Sequence, residues 1–135
     1  MHEHWIGLAD TVGAVGSLCI YKHFLKEDFR NETGVMKGLD WIGKNFTVTE
    51  NPKAHEDWQK GAYYYYLYGL ERAGILYNTE KFGTHEWYPE GANKLLDAQE
   101  PDGKWKNVED TCFAVLFLKR GMKPLIHTGA GKSGK

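Results

Sequence analysis

Two stretches of this chain are apolar on every helical face. Tyr63 to Leu70 reads YYYYLYGL and Cys112 to Leu118 reads CFAVLFL, with charge arriving only at Glu71 and Arg72 and at Lys119 and Arg120. A helix with no polar side has nothing to offer water, so each stretch needs neighbours all round. Two other segments can supply them. GLDWIGKNF (38–46) and EGANKLLDAQ (90–99) are amphipathic, with one apolar stripe each. The expected arrangement therefore alternates buried with surface helices.

Five helical segments are predicted, about Trp5–Leu25, Val35–Phe46, Asp57–Leu76, Trp87–Gln99 and Asp110–Arg120. The punctuation agrees. Asn51-Pro52 halts the exit from the second segment, and Glu56 and Asp57 place acid in the first turn of the third. Pro89 stands near the start of the fourth, where a missing N–H costs nothing. Asp110 or Glu109 is expected to cap the fifth, with Gly74 and Gly121 as C-terminal stops. No strand pattern of comparable strength is present.

The pattern repeats. Asp10-Thr11 with Ala14, Val15 and Leu18 matches Asp110-Thr111 with Ala114, Val115 and Leu118 at an offset of 100. Gly38 to Phe46 lies over Gly91 to Gln99 at 53, and Leu70 and Arg72 over Leu118 and Arg120 at 48. The unit is an αα-hairpin of about fifty residues, present about two and a half times. Such repeats stack, because none buries its apolar face alone.

Composition narrows the function classes. With 17 basic against 18 acidic residues the net charge is −1, which offers no general field to nucleic acid or anionic membrane. Eight Tyr, six Phe and five Trp must be packed or must line something. Cys19 and Cys112 make no disulfide framework. The N-terminus has no basic leader region, and Asp10 interrupts its apolar run. The default expectation is a cytoplasmic protein without a membrane span.

The stretch LLDAQEPDGKW, Leu95 to Trp105, carries a family resemblance. Gln99-x-x-x-Gly103-x-Trp105 resembles the QW motif of the squalene–hopene cyclase and protein prenyltransferase repeat superfamily. EDTCFAVLFLKRG looks like the inner helix after that motif. WQKGAYYYYLYGLERAGILY and HEWYPEGANKLLDAQ are similar to a bacterial branch of cyclase-like repeat proteins. The resemblance implies an all-α fold, αα-hairpin repeats forming part of an α/α toroid, here about five helices. It also implies that Gln99 caps the next helix while Trp105 stacks on it. Residues 1–121 are then an incomplete toroid and 122–135 a flexible basic, Gly-rich tail. Five helices do not close such a ring, so the rest is expected from a longer chain or from self-association.

The resemblance implies chemistry only in part. Neither the D-x-D-D string of hopene-type cyclases nor the D-D-x-x-D string of ionising terpene synthases is present. Prenyltransferases hold zinc through Asp-x-Cys at an inner-helix start, and Asp110-Thr111-Cys112 occupies that place. The family's third ligand, a later His, has no counterpart unless His127 serves. The bland reading of the pair is a helix cap followed by a small buried Cys.

Tyr64, Tyr65 and Tyr68 could face a ligand cavity, where rings stabilise a cation or stack on a sugar, or they could be core with satisfied hydroxyls. The His-Glu pairs at His2, His55 and His85 lack the second His of a zinc-protease motif. The Gly129–Ser133 string lacks the strand and first Gly of a phosphate loop. The function expected is a repeat module, not independently catalytic, that binds an apolar ligand or a protein partner. The alternatives are isoprenoid lyase or transferase activity needing the rest of the toroid, and a carbohydrate-active toroid.

Overall fold

The computed structural model describes residues 7–52, 62–120 and 125. Trp5, Glu56, Asp57, Gly121, His127 and the rest of the tail apart from Leu125 lie outside the described residues. So do His2, His55 and the repeat residues around Trp58. The fold is all-α. The described helices are α1 (Leu8–Phe24), α2 (Thr33–Lys44), α3 (Tyr63–Tyr77), α4 (Trp87–Ala98) and α5 (Val108–Lys119), with a 3-10 turn at Phe29–Asn31. None of them is long and apolar enough to cross a membrane.

Helix starts are set by oxygens that accept otherwise unpaired N–H groups. Glu32 accepts from the Val35 amide at 2.9 Å to begin α2, and Asp28 does the same for the 3-10 turn. At α5 the cap is Asn107, whose Oδ1 accepts from the Asp110 amide at 2.8 Å. This corrects the expectation that Asp110 or Glu109 would cap. Both lie inside the helix, where their backbone needs an acceptor. α1 is capped from a distance: the buried Asn51 accepts from Ala9 N and the Pro52 carbonyl from Leu8 N, each at 3.0 Å. The Asn-Pro pair thus caps the start of α1, whereas α2 has already ended at Lys44.

Helix ends differ from expectation at α5, where Arg120 (φ 49°) takes the left-handed position expected of Gly121, and at α3. α3 does not stop at Gly74 but runs on to Tyr77, and Asn78 ends it in the left-handed conformation (φ 64°). Gly74 is used for approach instead. A Cβ there would lie 2.5 Å from the Trp87 indole, so glycine lets Trp87 bury completely against α3. The two-residue strands β1 (Lys81–Phe82) and β2 (His85–Glu86) form a small antiparallel ribbon between α3 and α4. It is too short to show a two-residue period in sequence.

α3 lies in the centre of a row, packed against α1 on one side and α5 on the other, with α2 outside α1 and α4 against α3 and α5. α1 and α3 run parallel. Val12 of α1 sits at Gly69 of α3 and Gly16 at Leu76, so both helices ascend together. Tyr66, Leu67, Leu70 and Ala73 bury the core side of α3. The outer helices use equivalent glycines: a Cβ on Gly38 would stand 2.4 Å from Val15 of α1, and one on Gly91 would stand 2.3 Å from Phe117 of α5. These are the two positions paired by the 53-residue offset. The 100-residue offset is also structural, since α1 and α5 begin at Leu8 and Val108.

The expectation that both apolar helices are enclosed holds for neither in full. Val108, Val115 and Leu116 of α5 are 76%, 46% and 40% exposed, and Tyr65 of α3 is 50% exposed. Beyond α5, Leu125 packs against the core.

Candidate functional site

The faces of α1 and α3 that turn away from the core leave a groove of about 290 Å³ between them. Its α1 wall is made of small residues, Gly13, Gly16 and Ser17, with Asp10 at one end. Its α3 wall carries Tyr65, Tyr68 and Arg72, with Gly69 between them. Small side chains on one wall and rings on the other open space that two bulky walls would fill.

The rings form one cluster that reaches across to α5. Phe113 meets Tyr65 edge-on with centroids 5.7 Å apart and lies tilted against Tyr68 at 5.4 Å. Such pairs fix ring orientation. The Arg72 guanidinium carbon stands 5.6 Å above the Tyr68 ring centre, a cation–π placement. Among the described residues no carboxylate forms an ion pair with Arg72. The groove thus offers an aromatic wall with a cation at one end.

The candidate tyrosines separate by angle around α3. Tyr65 and Tyr68 line the groove; Tyr64 does not. Tyr64 turns toward the start of α5, edge-on to Tyr63 at 5.0 Å. Burial raises its phenol pKa, and the negative charges of Asp110 and Glu100 raise it further. One residue of helix rotates a side chain by about 100°, which is what parts it from Tyr65. Tyr63 and Tyr66 are structural: their hydroxyls donate to the carbonyls of Val48 and Thr47. Burial pushes both phenols far above their ordinary range.

Asp110 and Cys112 occupy different surroundings. Asp110 is buried, and desolvation raises its carboxyl pKa, outweighing the lowering by Lys106. Cys112 is exposed on α5. Among the described residues no three His, Cys, Asp or Glu side chains come together as a metal-holding group. Asp110 and Cys112 both lie on α5, and His127, the later His that the Asp-x-Cys pattern would need, lies outside the described residues. His85 is occupied otherwise, stacked on Phe46 at 4.6 Å and 3.2 Å from Glu90.

Gln99, Gly103 and Trp105 do build a turn, with one change of role. The Gln99 amide donates to the Gly103 carbonyl at 2.8 Å, within the turn. It is exposed and caps no helix, since Asn107 holds that place on α5. Gly103 takes φ 90°, which a side chain would strain. Trp105 is buried, its indole N–H donating to Leu95 O at 2.8 Å. Its amide and carbonyl both bond to the Thr111 hydroxyl.

Arg72, Phe113 and the small α1 wall were not singled out from sequence. Their signal is present in GAVGS (13–17), a run of small residues on a helix that must pack. Comparison with protein-family models, curated proteins and solved structures finds no match.

Proposed function

We propose that this chain is a helical-repeat module of the terpenoid cyclase and prenyltransferase type, and that it binds an apolar ligand in the α1–α3 groove without catalysing a reaction on its own. The observation that carries this reading is that Tyr65 and Tyr68, held by ring contacts to Phe113 of α5, line the groove opposite Gly13 and Gly16 of α1. Ligand sites are typically concave and largely apolar, with a few polar groups to orient the ligand. Here the Tyr65 and Tyr68 rings are placed to take the apolar body, while polar groups stand at both ends, Arg72 and Ser17 at one and Asp10 at the other, and the exposed lining is more polar than apolar. The row α1–α3–α5 with α2 and α4 flanking it supports the repeat reading.

Titration calorimetry with farnesol, a neutral long-chain isoprenoid, tests it. Saturable one-site binding is expected, lost in Tyr68→Ala and weakened in Tyr65→Ala, and retained in Tyr21→Ala on an exposed position outside the groove. Binding that survives Tyr68→Ala, or that is absent from the wild type, would overturn the reading.

A further inference from the structure

The 100-residue offset sets α1 and α5 in the same register, and their burial is opposite. On α1, Leu8, Val12, Val15 and Gly16 are all buried. Their counterparts on α5, Val108, Cys112, Val115 and Leu116, are all exposed. On α1 this face is covered by α2 and α3, the next helices in the row: Val12 lies in the notch at Gly69 of α3, and Val15 in the notch at Gly38 of α2. α5 carries the same apolar face with nothing among the described residues upon it.

The other end of the row is the complement. α5 turns Phe113 and Phe117 toward α3 and α4, its predecessors. The equivalent positions of α1 are Gly13 and Ser17, with Ala14 beside them where α5 has Ala114, and all three are exposed. A Cβ on Gly13 would meet nothing within 4 Å. One end of the row therefore presents bulky apolar side chains and the other presents small ones. That is the pairing by which Val12 seats at Gly69 within the chain.

We propose that a second copy of this chain docks head to tail, with the exposed face of α5 on the Gly13–Ala14–Ser17 face of α1. The contact continues the α1–α3 interface in its own parallel register. It is heterologous, using two different surfaces of each copy, so it propagates into a closed ring or an open filament. The proposal rests on the repeat register and not on the groove binding a ligand; Gly13 and Ser17 serve both surfaces, so a docked copy and a groove ligand compete for that wall.

The test is the molar mass by light scattering on a sizing column, over a range of concentrations. Four samples are compared: wild type, Val115→Arg, Ala14→Arg, and the two variants mixed in equal amounts. Both positions face solvent, so the circular dichroism of each variant should match the wild type. The wild type is expected to exceed monomer mass in a concentration-dependent way, and each variant alone to run as a monomer. The mixture regains mass, because the intact α1 of one variant meets the intact α5 of the other. A wild type that stays monomeric at every concentration overturns the proposal. Association that survives Ala14→Arg overturns it in favour of an α5-to-α5 contact, and a mixture of two monomeric variants that recovers no mass overturns the head-to-tail pairing.

Discussion

The indole N–H of Trp105 donates to the Leu95 carbonyl, ten residues earlier, at 2.8 Å. That bond folds the turn after α4 back onto α4, and it satisfies a carbonyl in the last turn of a helix whose terminal carbonyls lack partners. Both residues are buried, so the bond is shielded from water. Trp105→Phe keeps most of the packing and removes the donor. A loss of about 1–3 kcal/mol in unfolding free energy is expected, the cost of an orphaned buried acceptor. Gln99→Ala, at an exposed position, is expected to cost no more than about 0.5 kcal/mol. Urea titration of both variants gives the ordering, and a larger loss for Gln99 would return the glutamine to the helix-capping role.

The glycines predict opposite signs for one change. In Gly91→Ala the added methyl would stand 2.3 Å from Phe117 Cζ, in a core with no slack. Destabilisation of about 1–3 kcal/mol is expected from overpacking. Gly13→Ala adds its methyl to open space on the same kind of helix. It should stabilise by about 0.5–1 kcal/mol through helix propensity. Equal effects in thermal unfolding would mean that α4 and α5 do not approach as closely as Gly91 permits.

The two cysteines should react differently. Cys19 is fully buried, and burial pushes its thiol up to about 11, so it stays protonated and shielded. Cys112 is exposed. Iodoacetamide at pH 8 should add one group to the dilute native protein and two after unfolding, by intact mass. Labelling of Cys19 at the rate of Cys112 would place α1 at the surface.

Asp110 gives a pH dependence with a definite sign. Burial raises its carboxyl pKa in the folded state, so the folded protein holds that proton more tightly than the unfolded chain does. Its contribution is fully present below the ordinary carboxylate pKa and is lost as pH rises through the folded value. Asp110→Asn escapes that loss. The stability of the variant relative to wild type should therefore rise between acid and neutral pH in urea titrations. A difference that stays flat or falls would mean that the helix N-terminus attracts the carboxylate more strongly than burial repels it.

Much of the fold was legible because periodicity and repetition are properties of sequence. The 100-residue match of Asp10-Thr11 with Asp110-Thr111 places two helix starts in register, and α1 and α5 do begin 100 residues apart. The expected end of the third segment, Leu76, falls one residue short of Tyr77, but Gly74 is not its stop, because it answers to a tertiary neighbour, Trp87, that local pattern does not reveal. Asn107 was passed over as a cap because two acids come soon after it, although cap position depends on where the backbone turns helical. The groove was half legible. Five tyrosines in six residues announce rings, but which of them face outward depends on where α1 and the 47–48 loop lie.

The central claim is that the α1–α3 groove receives an apolar ligand, and amide chemical shifts under farnesol titration test it most directly. The amides of Gly13, Gly16 and Gly69 line or border the groove and should move together to saturation, while those of Gly91 and Gly103 stay still. Movement confined to Val115 and Leu116, or none at all at saturating farnesol, would contradict the account.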